Sequence, residues 1–563
     1  MYKKIYKIIF VLTLLYQTPL YSKSNSSNYF DVKDFSNYFS GIVAFGNKDN
    51  SEALKYFNFS KDLLDQHNSY LKRYITTLVL EKKVPQAINI IKDIKNKENV
   101  NFFDAYLLLI LDSLKNNEIE KAYEHLQITF SFDQKDKFKI AILETLKEFI
   151  LVFDKKKLLE EKKNFGNFSF IAETFQRCYL DDLKTANYFV NLINKNEADY
   201  SRYTYFYLTY LVDKKKFDEI EKLTFDINYI NSTLLLSQAK DWIENKNFEK
   251  FKSVFSCKNH TDVISEFLFL ISNLYSSQDN FERSNFYLYL SNFLNPKFVY
   301  NTSLMAENYY QNGDYKKSKK VLNNFKEEDN FYFWYRIRKE AQIILKQKDR
   351  KASLKYISSE FKKIDRPNNK MIFDLANYNK NSGDYETAIK YYSLVIENLS
   401  ENTNIKSDLL YRRGGTYERK GDYVNADKDL LHSLVINPDD TYVLNYLAYS
   451  WLERNYKIKE AIKMLETAYA NNSDDPYIID SIGWAYYLVN DYLKAEKFLR
   501  RAVELMPNDP IVNDHYGDIL WKLDQKIQAR YFWKNVLKMK DVEENIIESI
   551  KEKLIYGPKV HKS

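Results

Sequence analysis

The sequence predicts an all-α protein made of stacked helical hairpins, and three observations predict it. Its 563 residues exceed what one hydrophobic core supports, which calls for several domains or a repeat array. It holds only 11 Gly and 9 Pro, too little turn chemistry to build sheets, while 45% hydrophobic and 29% charged residues fit a folded helical chain. A small residue returns at a period of about 34 residues, the length of one helix-turn-helix unit.

The chain opens on what reads as a secretory leader at 1–24. Lys3, Lys4 and Lys7 form a positive start, Ile8 to Tyr16 an apolar run, and Pro19 to Ser24 a breaker followed by small polar residues. The apolar run is too short to span a bilayer stably, so cleavage near Ser22 or Ser24 is expected, with retention as an uncleaved anchor as the alternative. No cysteine suits a lipoprotein leader.

From residue 30 to 366 the period is carried by Ala53, Ala87 and Ala122, then, after a divergent unit, by Ala186, Ile220, Phe251, Ser284, Ser318 and Ala352. From 367 to 540 it runs through Ala388, Ala426, Ala461, Ala495 and Ala529 with sharper punctuation. Turns recur as Gly313-Asp314-Tyr315, Gly383-Asp384-Tyr385, Gly421-Asp422-Tyr423 and Asn490-Asp491-Tyr492. Gly or Asn accepts the left-handed conformation that ends one helix, and Asp caps the next. The stretch 541–563 carries Val542, Ile546, Ile547, Ile550 and Leu554 at helical spacing, then Gly557-Pro558, and reads as a final capping helix and tail.

The clearest unit runs from Pro476 to Asn508. Ile479, Ile482, Gly483 and Tyr486 share a helical face, Asn490-Asp491 breaks it, and Tyr492, Ala495, Leu499, Ala502 and Pro507 follow. Gly483 and Ala495 are small where the two helices approach, and Tyr486, Tyr492 and Leu499 supply bulk around them. Pro507 stops the second helix because it lacks an N–H and clashes with the preceding turn. Gly414 and Gly517 occupy the same packing position as Gly483 in their own units. In full register this resembles the tetratricopeptide repeat (TPR) family, whose pattern is W-x2-L-G-x2-Y…A-x3-F…P. The resemblance implies a superhelical solenoid of about fifteen repeats and a role in holding other proteins, with no cofactor and no metal.

Composition excludes other roles. The net charge of +7 arises from 84 basic and 77 acidic residues mixed along the chain, and lysine runs such as Lys155 to Lys157 and Lys214 to Lys216 fall at inter-helix turns, so no nucleic-acid face is expected. The histidines His67, His125, His260, His432, His515 and His561 show no ligand spacing, and no phosphate-loop or nucleophile-elbow motif is present. His515 beside Tyr516 and Gly517 falls in the packing register and is expected to be structural. An enzyme using the repeats as the arm of an envelope hydrolase therefore lacks a motif. Cys178 and Cys257 fall in different units, which an open stack would keep apart, so two buried free thiols are expected rather than a disulfide.

The resemblance places the binding surface on the concave face, lined by the first helix of each unit. In the last three units this implies Tyr442, Asn445, Tyr449 and Leu452, then Tyr477, Asp480, Trp484 and Tyr487, then Ile511, Asp514, Asp518 and Trp521. Aromatic area beside Asn and Asp suits an extended peptide, and the acidic set repels a terminal carboxylate, so a basic or neutral peptide fits. The same aromatics would equally pack adjacent helices, and the sequence leaves groove and packing both open. The expected role is a periplasmic or secreted non-catalytic scaffold that binds an envelope protein, or an inner-membrane adaptor if the leader is retained.

Overall fold

In the computed structural model the described residues are 32–558, apart from short stretches at 65–67, 95–96, 133–135, 195–200, 226, 228–229, 231, 327–329, 400–402 and 541. The leader, His67 and His561 lie outside them. The described residues form thirty α-helices and two 3-10 turns, with no strand among them. The all-α fold class and the helical-hairpin architecture are as the sequence indicates.

The recurring small residue does what its period implies. Ala53, Ala87, Ala122, Ala388, Ala426, Ala461, Ala495 and Ala529 are all buried, as are Ile220, Phe251, Ser284 and Ser318. Two positions are corrected by one residue. Thr185 and Ser353, not Ala186 and Ala352, are the buried ones. Ser353 Oγ donates to Ala341 O at 2.7 Å, as Ser318 Oγ donates to Ala306 O at 2.9 Å, so the hydroxyl marks the register that the neighbouring alanine obscured.

The turns are equally regular. Gly313, Gly383, Gly421 and Asn490 have positive φ, and Asp384, Asp422 and Asp491 accept from the backbone N–H of Thr387, Asn425 and Lys494. Upstream, where the sequence looks eroded, Lys215, Lys246 and Asp279 take the same left-handed conformation at φ 56–58°. Backbone geometry outlasts the residue type best suited to it.

Two compact units divide the chain. The first comprises residues 1–217 and 247–321, the second 218–246 and 322–563. These breaks differ from the change in repeat quality at 366/367.

Within the first unit, helices distant in sequence pack together. Arg283 pairs with Asp104 at 2.8 Å and Arg202 with buried Glu266 at 2.6–2.8 Å. Helix Asn167–Leu180 touches helix His260–Ser276, so Cys178 and Cys257 come within 5.6 Å between Cα atoms and are joined as a disulfide. The free-thiol expectation is thereby corrected. It assumed contact only between units adjacent in sequence, and this unit contradicts that assumption.

Within the second unit, Leu234–Glu244 packs on Asn330–Gln347, with Tyr332 Oη donating to Gln238 Oε1 at 3.0 Å. Lys370 Nζ donates to Ile230 O at 2.7 Å. From there hairpins follow in order to Glu544–Tyr556, whose Ile550 is buried in the core shared by the last repeats. This is the capping helix that the sequence places at the end.

Candidate functional site

Three first helices carry the candidate site: Thr441–Glu453, Pro476–Leu488 and Pro510–Lys522. Each starts the same way. Asp440, Asp475 and Asp509 accept from two backbone N–H groups of the first turn, and proline stands at the start of the latter two, where its missing N–H costs nothing. Gly483 permits the close approach of its partner helix, since a Cβ there would lie 2.7 Å from Leu499 Cγ. A Cβ on Gly517 would lie 2.3 Å from Trp533 Nε1, and one on Gly414 2.9 Å from Leu430 Cγ. Ile482, Tyr486 and Ala502 are buried beside these glycines, and Pro507 stands exposed past its helix end.

The expected groove residues divide into two sets. Tyr442, Tyr477 and Ile511 are exposed, at 62%, 58% and 41%, while Asn445, Tyr449, Asp514 and Trp521 are half-buried. Leu452, Asp480, Trp484, Tyr487 and Asp518 are buried. Of the two possibilities left by the sequence, groove and packing, this last set takes packing. Trp484 stacks between Tyr487 at 4.7 Å and His515 at 4.1 Å, both nearly parallel to it. The cause is the close spacing of neighbouring first helices, which leaves an indole at this position no path to solvent.

Around the stack lies a chain of charges. His515 Nδ1 donates to Asp480 at 2.9 Å, and although burial opposes its charge, Asp480, Asp514 and Asp518 raise its pKa. Lys553, from the capping helix, donates to Asp514 at 2.7–2.8 Å and to Asp518 at 2.8 Å. Burial first, and the Asp514 carboxylate second, push Asp518 up to about 7. Trp521 packs 5.4 Å from Trp533 and lies against Gly557, with Arg530 4.8 Å over its face. The last helix therefore occupies the end of the acidic row, and Asp514, Asp518 and Trp521 hold it there.

What remains open is a cavity of about 350 Å³ over these first helices and the end of Asn404–Lys420. Tyr449, Tyr477, Ile511 and Asn445 line it, with the carboxylates of Glu418, Glu453, Asp480 and Asp509 and the single guanidinium of Arg419. Burial, then Glu453 and Asp480, raise the Tyr449 phenol, which stays protonated as a donor. Asn445 Oδ1 is buried with no hydrogen-bond donor among the described residues. Glu418 and Glu453 escaped the sequence reading because they lie in the last turns of their helices, beyond the expected positions. Their signal was the acidic residue in the last turn of Asn404–Lys420 and of Thr441–Glu453.

The sequence profile of a tetratricopeptide-repeat family matches residues 336–542. A TPR repeat-containing protein of Pseudomonas aeruginosa is 35% identical over 111 residues, which cover 20% of this chain and 19% of the relative, so the match spans about a fifth of that relative's length. Among solved structures, MamA of Desulfovibrio magneticus is 20% identical, with 31% of this chain and 97% of that one covered and a TM-score of 0.27. A tetratricopeptide repeat protein from Parabacteroides merdae is 13% identical, with 39% and 85% covered and a TM-score of 0.33.

Proposed function

We propose that this chain, whose residues 336–542 match a tetratricopeptide-repeat family, is a protein-interaction scaffold that catalyses nothing and grips a segment of an envelope protein by a basic side chain. The observation that carries the reading is the cavity: the carboxylates of Glu418 and Glu453 line it with one guanidinium, beside Asp480 and Asp509 that are already engaged by His515 and the helix start, and the exposed ring of Tyr477 lines it to cover an extended backbone. An amide from the partner would also satisfy Asn445 Oδ1.

Export to the periplasm is part of the same proposal. The leader supports it, and so does the pairing of the chain's only two cysteines, since a buried disulfide persists in an oxidising compartment.

Titrating unstructured peptides that differ only in Lys, Gln or Glu at one central position tests the reading. The Lys peptide should bind best and the Glu peptide worst. Glu453→Gln and Tyr477→Ala should each weaken the Lys peptide about tenfold with an unchanged melting temperature. Equal binding of Lys and Glu peptides would remove the charge assignment.

A further inference from the structure

We propose that the amino-terminal end of the first unit docks on an anionic lipid bilayer. Helix Val32–Gly46 turns Val32, Phe39 and Val43 to one side at helical spacing, and they are 83%, 60% and 62% exposed. Phe59, at the end of the paired helix Asn50–Phe59, is 62% exposed. A repeat face that meets only water is polar, and this stripe is not. The four side chains expose roughly 500 Å², short of the about 800 Å² per partner of a stable protein interface.

Lysines gather where this helix ends. Lys48 forms its left-handed turn, Lys48 Nζ donates to Asn312 Oδ1 at 3.1 Å, and Lys317 Nζ donates to Lys48 O at 2.9 Å. That brings helix Tyr315–Leu322, with Lys316, Lys319 and Lys320, alongside. Lys82, the turn residue of the next hairpin, is lowered in pKa by burial and then by Lys320, so ammonium groups far apart in sequence are neighbours here. Glu81, Glu282, Asp49 and Asp314 lie among them, the last paired with Lys317 at 3.1 Å, and the six lysines Lys48, Lys82, Lys316, Lys317, Lys319 and Lys320 outnumber these carboxylates. An apolar helix face beside a lysine cluster is the chemistry of a helix lying at an anionic interface.

Vesicle sedimentation tests the proposal with the full chain on phosphatidylglycerol/phosphatidylethanolamine vesicles and on phosphatidylcholine vesicles. Binding to the anionic vesicles should fall with salt. The double change K82Q/K320Q should weaken it about 25-fold, near five-fold per lysine, and F39S/V43S should weaken it at least tenfold, with melting unchanged in both. Equal binding to phosphatidylcholine overturns the proposal, as does full anionic binding by both variants. Two further results overturn it by assigning the surface elsewhere. If F39S/V43S dissolves a dimer in light scattering yet keeps vesicle binding, the stripe joins two copies. If heparin binding needs the lysines while F39S/V43S binds vesicles like the parent, the patch is a site for soluble polyanions.

Discussion

The indole of Trp484 lies flat on the imidazole of His515, ring centroids 4.1 Å apart and planes 12° from parallel. Two adjacent repeats are thus joined by aromatic faces, and His515 is fixed in turn by Asp480 from the same helix as Trp484. Trp484→Ala should therefore cost the second unit about 3–5 kcal/mol, the range for emptying a buried indole site. Peptide affinity, corrected for the folded fraction, should stay within about two-fold of the parent. The sequence alone allowed the opposite outcome, a stable fold that has lost its anchor. Urea unfolding followed by circular dichroism separates them, and an unchanged midpoint would falsify the packing role.

The boundary of what could be read in the sequence follows from which contacts are local. The hairpins were legible because Gly483 facing Leu499 and Ala495 on the partner helix fall within one unit, at a fixed offset. The divergent region keeps the same rule in other residues. Ser265 and Ser291 exchange hydroxyl-to-carbonyl bonds at 2.9 Å, and Ser407 and Ser433 repeat this at 2.9–3.1 Å with the same separation of 26. All four serines are buried and hold core positions outside the small-residue series. The burial of Trp484 and Asp518 was not legible, because it depends on the distance between neighbouring units and on Lys553 arriving from the capping helix. Nor was the Cys178–Cys257 bond, which needs helices far apart in sequence to touch.

Glycine substitutions test the interhelical spacing with a built-in control. Gly517→Ala drives a Cβ against the wholly buried ring of Trp533 and should cost about 1–3 kcal/mol despite alanine's better helix propensity. Gly415→Ala meets only Tyr446 Oη at 3.2 Å, the far end of a side chain that can shift. There the propensity gain, up to about 1 kcal/mol, should leave the variant neutral or slightly more stable. Tryptophan fluorescence suits the measurement, since all six tryptophans belong to the second unit. Equal losses at both sites would mean that the glycines are not set by ring contact.

The disulfide should matter most to the first unit, which holds both cysteines, although the loop it closes also encloses residues 218–246 of the second. Replacing both cysteines with Ala, or adding reductant, should remove about 2–4 kcal/mol by freeing the loop between Cys178 and Cys257 in the unfolded chain. The first unit contains no tryptophan, so calorimetry should show its transition falling further than the transition followed by fluorescence. A fluorescence midpoint that falls equally would show that the cross-link stabilises both units together.

The charge chain through His515 and Asp518 predicts how the second unit responds to pH. The folded pKa of His515 is raised above its ordinary 6.5, so its contribution is complete below pH 6.5 and is lost as pH rises through the folded value. Asp518 is a carboxyl whose folded pKa is also raised, from 3.8 to about 7, so the folded form holds a proton that the unfolded form has released. Its contribution likewise falls as pH rises, between about 4 and 7. Both slopes have the same sign because burial and then the Asp514 carboxylate hold a proton on Asp518, while Asp480, and after it Asp514 and Asp518, outweigh burial to hold one on His515. Asp518→Asn keeps the side chain's shape, removes the titration and leaves Asp514 paired with Lys553. Between pH 4 and 7 the variant's urea midpoint, read by tryptophan fluorescence, should fall less steeply than the parent's. His515→Gln should flatten the remaining fall above pH 6.5. Curves for Asp518→Asn and the parent that run parallel from pH 4 to 7 would show that Asp518 is ionised throughout and that Lys553 neutralises both carboxylates.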